Sequence, residues 1–337
     1  MIGKLSVLIS SCTDPYENLA REEFLTYHVE PGECVLYLWQ NAHTVVIGRN
    51  QNCWKECRVA ELEASGGRLA RRLSGGGAVY HDLGNLNFTF CMKKEDADVL
   101  KQTSVIRRAA ASFGLDARLT GRNDVTVGGR KFSGNAFFDS KGCYYHHGTL
   151  LLHTDTSLMT KYLRPSAAKL ASKGVASVRS RVVNLQELCP DITVGSMKEA
   201  MIKAFSEEYG RPAEPFDRNR FDEAKIRQLT GRFGSWEWKY GRRIPFTNQF
   251  IRRFAWGEAE LSLKVNGGVV EEAVFATDSM EAEWFDGIGL RLAGCVYNGK
   301  VISEAADTVL RERMVPANVR RELQSGSKKK YNSSEER

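Results

Sequence analysis

The sequence predicts a mixed α/β protein: a large domain followed by a smaller α+β unit. Three observations predict it. Short β-branched and aromatic runs alternate with helical-period segments over roughly the first two thirds of the chain, and glycine-rich links separate them. Strict apolar/polar alternation with an Asn266-Gly267 turn returns only near the C-terminus. A chain of 337 residues suits one large core and a small one, because single cores rarely grow past about 250–300 residues. The boundaries expected are 1–245, 246–324 and a tail over 325–337.

Val7–Ile9 reads as a buried strand. Asp14 and Pro15 then open a helix, Asp14 as the capping acceptor and Pro15 in the first turn, with Tyr16, Leu19, Ala20, Phe24 and Tyr27 on one stripe. The runs 35–39 and 44–47 suggest a hairpin through Gln40-Asn41-Ala42-His43, with Trp39 in the core. A helix over 55–64 leads to a strand over 68–72 and a glycine loop; a half-buried strand over 86–90 and a helix over 98–113 follow. Gly128-Gly129 turns the strand 124–127 back into 130–132, which fixes Lys131 on a strand. On the strand 144–152, the adjacent His146 and His147 must point to opposite faces, so they are rejected as a joint metal pair.

Residues 155–230 read as mainly helical, interrupted around Ala176–Arg181. Ser196 and Glu199 form the capping box of a helix that runs to Tyr209. Trp236–Tyr240 leads out of the large domain. Beyond it come the strands 259–265 and 269–276 and a helix near 299–314. The last thirteen residues lack apolar anchors and are expected to be disordered.

The formal net charge is +7, part of it in Lys328-Lys329-Lys330, which could steer an acidic partner. No zinc finger, aromatic-rich RNA motif or long basic stripe supports nucleic-acid binding. Eight scattered cysteines do not make a secreted disulfide scaffold, and Cys53-x-x-x-Cys57 has no second pair to complete a zinc site. With no secretory signal and no run of membrane-spanning length, the expectation is a cytoplasmic protein without a membrane, and a monomer.

The chemistry concentrates in Arg71-Arg72-Leu73-Ser74-Gly75-Gly76-Gly77-Ala78-Val79-Tyr80-His81-Asp82-Leu83-Gly84-Asn85. Three bare glycines beside two fixed cations suit an anion, through backbone N–H groups that side chains would otherwise hold away. The loop is neither a Walker loop nor a Gly-x-Gly-x-x-Gly fingerprint. A rigidly placed Lys131 could stabilise charge between an acyl carbonyl and a phosphate, Ser74 and His81 could orient the acyl end, and Asn123 or Asp124 could hold a nucleotide or magnesium.

This loop, followed by Gly121-Arg122-Asn123-Asp124, Arg130-Lys131-Phe132-Ser133-Gly134, His146-His147-Gly148-Thr149-Leu150 and Lys173–Ser180, resembles bacterial lipoate-protein ligases in order and spacing up to about residue 245. The resemblance implies a large mixed-sheet biotin/lipoate-ligase-like catalytic domain with a smaller C-terminal α+β domain. It implies Lys131 as the catalytic residue touching both lipoate and phosphate. By the same resemblance Arg72, Gly77, Ala78, Val79 and Tyr80 join it around ATP; the reading of the residues themselves adds Gly75, Gly76, Asn123 and Asp124, the last a candidate for Mg2+. By the same resemblance the Asn18–Glu22 segment with Leu19, and His147 and Gly148, lie near the acyl pocket; with Arg72 and the Ser74 and His81 read above from their chemistry, these are the expected lipoate contacts.

The implied activity makes lipoyl-AMP and passes lipoyl to a lysine of acceptor domains, namely those of 2-oxoacid dehydrogenase E2 subunits and the glycine-cleavage H protein. Two competitors remain at this point: a lipoyltransferase using preformed lipoyl-AMP, and an ATP-independent octanoyltransferase, whose cysteine has no counterpart in Gly121–Asp124. A non-catalytic lipoate-binding module could dispense with Lys131. Cys53 stands where the family commonly has a proline.

Overall fold

The computed structural model describes residues 2–121, 123–164, 181–240 and 248–331. Contacts divide the chain into two compact units. The first holds Met1–Ile47, Trp54–Arg72 and Ala78–Lys239; the second holds Gly48–Cys53, Leu73–Gly77 and Tyr240–Arg337. The second unit is therefore more than a C-terminal piece, because two short N-terminal segments belong to it.

The first unit is built on an eight-stranded mixed sheet. Its strands are β1 (Lys4–Ile9), β2 (Glu33–Trp39), β6 (Asn85–Lys93), β7 (Ala117–Thr120), β8 (Asp124–Val127), β9 (Arg130–Ser140), β10 (Cys143–Leu151) and β11 (Glu214–Pro215), in the spatial order β11-β1-β2-β6-β10-β9-β8-β7. A separate three-stranded sheet has β3 (Thr44–Ile47) between β4 (Arg68–Arg71) and β5 (Val79–His81). The helix Pro15–His28 starts as its sequence dictates, with the Asp14 carboxylate accepting from the N–H groups of Tyr16 and Glu17.

One face of the large sheet is the main core, where Leu36, Leu38, Phe88, Phe90, Val125 and Phe132 pack with Val105, Ile106, Met201 and Phe205 of the helices Val99–Ala111 and Val194–Tyr209. Burying a side chain of that size contributes about 1.5–3 kcal/mol.

Four sequence expectations need correction. The runs 35–39 and 44–47 form no hairpin: β2 pairs with β1 and β6, β3 with β4 and β5. Asn18 Nδ2 donates to the Gln40 carbonyl and to Asn41 Oδ1, and His43 has φ +35°, so the connection is steered away from a tight turn. The helix over 55–64 breaks into Cys53–Glu56 and Val59–Ala64, because Cys57 bridges Leu163 like a strand residue. The capping box is Thr193 with Ser196, which exchange backbone and side-chain hydrogen bonds, and it opens the helix Val194–Tyr209. The tail expected to be disordered from 325 is helical as far as Tyr331, within the helix Ala317–Tyr331, and 332–337 lie outside the described residues. The basic segment Lys173–Ser180 lies outside the described residues.

The second unit has the sheet β12 (Asn248–Phe254), β13 (Gly257–Asn266), β14 (Val269–Thr277). Its helices Ile288–Leu292, Gly299–Glu312 and Ala317–Tyr331 pack a core around Leu263, Phe285, Leu292 and Leu310. Among the described residues, no helix is long and apolar enough to cross a membrane.

Candidate active site

Which way Lys131 points is decided by the pairing of β8 with β9. Asp124 stands opposite Gly134 and Val125 opposite Ser133, yet Thr126 stands opposite Lys131. Phe132 is thus an extra residue, a β-bulge, and because cross-strand partners share a face, the bulge brings Lys131 onto the face of Asp124 and Gly134. Regular alternation would have put it on the core side. Phe132 itself is fully buried in that core. Gly134 makes room for the lysine tip: a Cβ there would lie 2.6 Å from Nζ.

The lysine is aimed by a carboxylate. Its Nζ lies 2.7 Å from Asp124 Oδ1, while Arg181 Nη2 pairs with Asp124 Oδ2. Burial pushes the Asp124 carboxyl up, but the Lys131 and Arg181 charges outweigh it and hold the group below the usual value. With both oxygens engaged by cations, Asp124 stands here as the counter-ion that aims Lys131. Asn123 Nδ2 donates to the Asn135 carbonyl at 3.0 Å, which ties β8 to β9. Arg122 lies outside the described residues.

The same face continues across the sheet. Gly134 N–H donates to Thr149 Oγ1 on β10; Thr149 stands opposite Asn87 on β6, and Asn87 opposite Trp39 on β2. One pair further along the strands, Tyr37, Thr89 and His147 form the next row. A buried carboxylate from the helix Pro15–His28 covers it: Glu22 Oε1 accepts from Thr89 Oγ1 at 2.6 Å and meets His147 Nδ1 at 2.8 Å. Trp39 Nε1 donates to Thr89 Oγ1 at 3.1 Å. Leu19, one turn before Glu22, is buried. His147 and His146 do face opposite ways, for His146 packs against the Phe88, Phe90 and Phe137 rings and bonds Gln102 and Asn135. Gly148 lies on that core side too, where a Cβ would come within 2.6 Å of Phe88.

The small sheet delivers two more predicted residues. Arg72 donates to the Val46 carbonyl at 3.2 Å, and burial lowers its guanidinium to about 10, which leaves it charged at neutral pH. His81 is 3% exposed; burial first, then the Arg72 and His147 charges, push it down to about 3. Its Nδ1 accepts from Asn41 Nδ2 at 3.2 Å, so the neutral ring carries its proton on Nε2, a buried donor with no partner among the described residues. Val79 and Tyr80 belong to β5, and the Tyr80 hydroxyl lies 2.9 Å from His43 Nδ1, which leaves only its backbone for a nucleotide.

Ser74–Gly77 fall in the second unit. Gly76 N–H donates to the Ser279 carbonyl at 2.8 Å, and a Cβ on Gly75 would lie 2.2 Å from that oxygen. The Ser74 carbonyl accepts from Arg49 N–H at 2.9 Å. Close backbone approach thus requires glycine here, and the expectation that every amide of the triplet faces an anion is corrected for Gly76. Sequence reasoning missed the aiming role of Arg181 and the bulge. It left Glu22 as a segment assignment, because on a helix it reads as an ordinary surface charge until Thr89 and His147 are opposite it.

Two family models match this chain: the lipoyl protein ligase A/B catalytic domain over residues 14–206, and the bacterial lipoate protein ligase C-terminus over residues 243–325. Among solved structures, it is similar to P. falciparum LipL1 in complex with lipoate at 28% identity and a TM-score of 0.81, covering 95% of this chain and 98% of that one. Lipoate-protein ligase A bound with ATP matches at 28% identity and 0.63, over 72% of this chain and 99% of that one. A bi-partite lipoate protein ligase from Thermoplasma acidophilum, studied with its E2 lipoyl domain, matches at 28% identity and 0.64, over 74% of this chain and 100% of that one.

Proposed function

The chain belongs to the lipoate-protein ligase family, and from that premise we propose that it is the complete ATP-dependent enzyme, which makes lipoyl-AMP and then lipoylates a protein lysine. In the first step a lipoate carboxylate oxygen attacks the α-phosphorus of ATP and pyrophosphate leaves. In the second, a lysine amine attacks the acyl carbonyl, AMP leaves and the amine proton goes to solvent. Activation is needed because a carboxylate and an ammonium do not condense near neutral pH.

The observation that carries this reading is the bulge-aimed Lys131, held 2.7 Å from Asp124 on the polar face. An ammonium so restrained can bind the acyl oxygen and the α-phosphate together, reducing their repulsion and stabilising the charge that develops between them. Arg72 adds a buried cation, and the His81 Nε2–H suits an acyl carbonyl. The acyl arm would run over Trp39, Thr149 and His147, with Leu19 and Glu22 above. The phosphates would take Lys131 and the backbone of Ala78 and Val79. Magnesium would accompany ATP.

At Cys91 of β6 a thioester is disfavoured, because the side chain is fully buried and burial pushes its thiol up. The acceptors proposed are lipoyl domains of E2 subunits and the glycine-cleavage H protein, and the cytoplasm is the proposed location. The test is lipoate-dependent exchange of labelled pyrophosphate into ATP without acceptor. Exchange is expected. Its absence, with lipoylation from supplied lipoyl-AMP intact, would make the protein a transferase.

A further inference from the structure

On the polar face, one buried donor remains that neither the catalytic lysine nor the Glu22 cluster uses. Asn87 is 1% exposed; its Oδ1 accepts from Asn85 Nδ2 at 2.9 Å, while its own Nδ2 meets no hydrogen-bond partner among the described residues. A buried amide N–H left unpaired is destabilising, and an apolar residue in the same place would avoid the loss. In this arrangement the Asn85 amide takes the Asn87 oxygen and leaves the Asn87 Nδ2–H open on the face.

The register fixes where it stands. Asn87 lies between Trp39 and Thr149 in the row that ends at Gly134, beside the Lys131 tip. Neighbouring strands are about 4.8 Å apart, so Asn87 is two strands, or roughly 10 Å, from that end. An extended lipoyl arm and ring cover about the same span.

We propose that Asn87 is a specificity residue whose Nδ2–H donates to a sulfur of the dithiolane ring when the carboxyl end lies at Lys131. The inference rests on the ligase reading above. Sulfur is a weak acceptor, but a hydrocarbon offers none, so octanoate covers the amide and leaves it unpaired, whereas lipoate pairs it. The site then discriminates by an unmet hydrogen bond as well as by shape.

The test uses the full chain and pyrophosphate exchange with lipoate, octanoate and 5-cyclopentylpentanoate, in which two methylenes replace the sulfurs of the same ring. The wild type is expected to favour lipoate over the cyclopentyl acid by about five- to tenfold in kcat/KM. Asn87→Leu should compress that ratio to within about twofold, mainly by improving the sulfur-free acids. The wild-type comparison needs no variant, so a poorly folding Asn87→Leu cannot hide the result. Equal efficiencies for the two ring acids in the wild type, or a folded Asn87→Leu with the preference intact, overturns the inference and leaves the ligase reading standing. No lipoate-dependent exchange in the wild type overturns the ligase reading, and the inference with it.

Discussion

The two faces of the eight-stranded sheet are made by the same strands and differ in almost every side chain. On β6, Leu86, Phe88 and Phe90 point into the core, whereas Asn85, Asn87 and Thr89 point the other way; on β10, Leu150 opposes Thr149. The period of two separates a face that stabilises the fold from one that carries the chemistry. The separation has one deliberate breach, at Phe132, where an extra residue lets β9 contribute a phenylalanine to the core and Lys131 to the polar face. The difference teaches that the polar face is tolerated because the opposite face already holds the sheet.

The largest effect that could break this division is at Lys131. Lys131→Ala removes a side chain that supports no core contact, so pyrophosphate exchange should fall by about a thousandfold or more while the thermal midpoint barely moves. Near-wild-type exchange would end the catalytic assignment. A large drop in the midpoint would end the claim that the face is dispensable to the fold.

Acid should test both faces at once. His81 on the polar side and His146 on the core side are each pushed down to about 3, chiefly by burial. An unfolded histidine takes up its proton near pH 6.5, the folded ones only near 3. Stability from staying neutral is therefore complete above about pH 6.5 and is lost as the pH falls toward 3. At pH 5 the expected loss is about 2 kcal/mol for each histidine. Urea unfolding at pH 7.5 and 5.0 reads the sum, and imidazole NMR assigns it: either ring titrating near 6.5 in the folded protein would refute the account.

Much of this was legible in the sequence, for identifiable reasons. Helix starts such as Asp14-Pro15 and the Gly128-Gly129 hairpin are local, so a few residues decide them. The block from Arg71 to Asn85 with its later partners pointed to the family, which the matched domains bear out. What escaped was long-range. The bulge at Phe132 exists only in the pairing of β8 with β9, the split of β2 and β3 into different sheets is set by strands distant in sequence that each one pairs with, and Gly75 packs against a backbone two hundred residues away.

Two glycines on adjacent strands give the finest test of the comparison, because they face opposite ways. A methyl group on Gly134 would meet only the flexible end of Lys131 closely, at 2.6 Å from Nζ and 2.8 Å from Cε. The lysine can swing aside, so Gly134→Ala should cost well under about 1 kcal/mol of stability yet lower exchange roughly tenfold, by moving the charge off its target. A methyl group on Gly148 would meet Phe88 Cζ at 2.6 Å and the Gly134 carbonyl at 2.7 Å, neither of which can yield without disturbing the sheet or the core. Gly148→Ala should therefore destabilise by about 1–3 kcal/mol, with exchange per folded molecule reduced less than in Gly134→Ala. Urea midpoints and exchange rates measured side by side read both effects. If the two variants lost activity and stability in the same proportion, the faces would not be separable, because what disturbs one would be transmitted through the shared strands to the other.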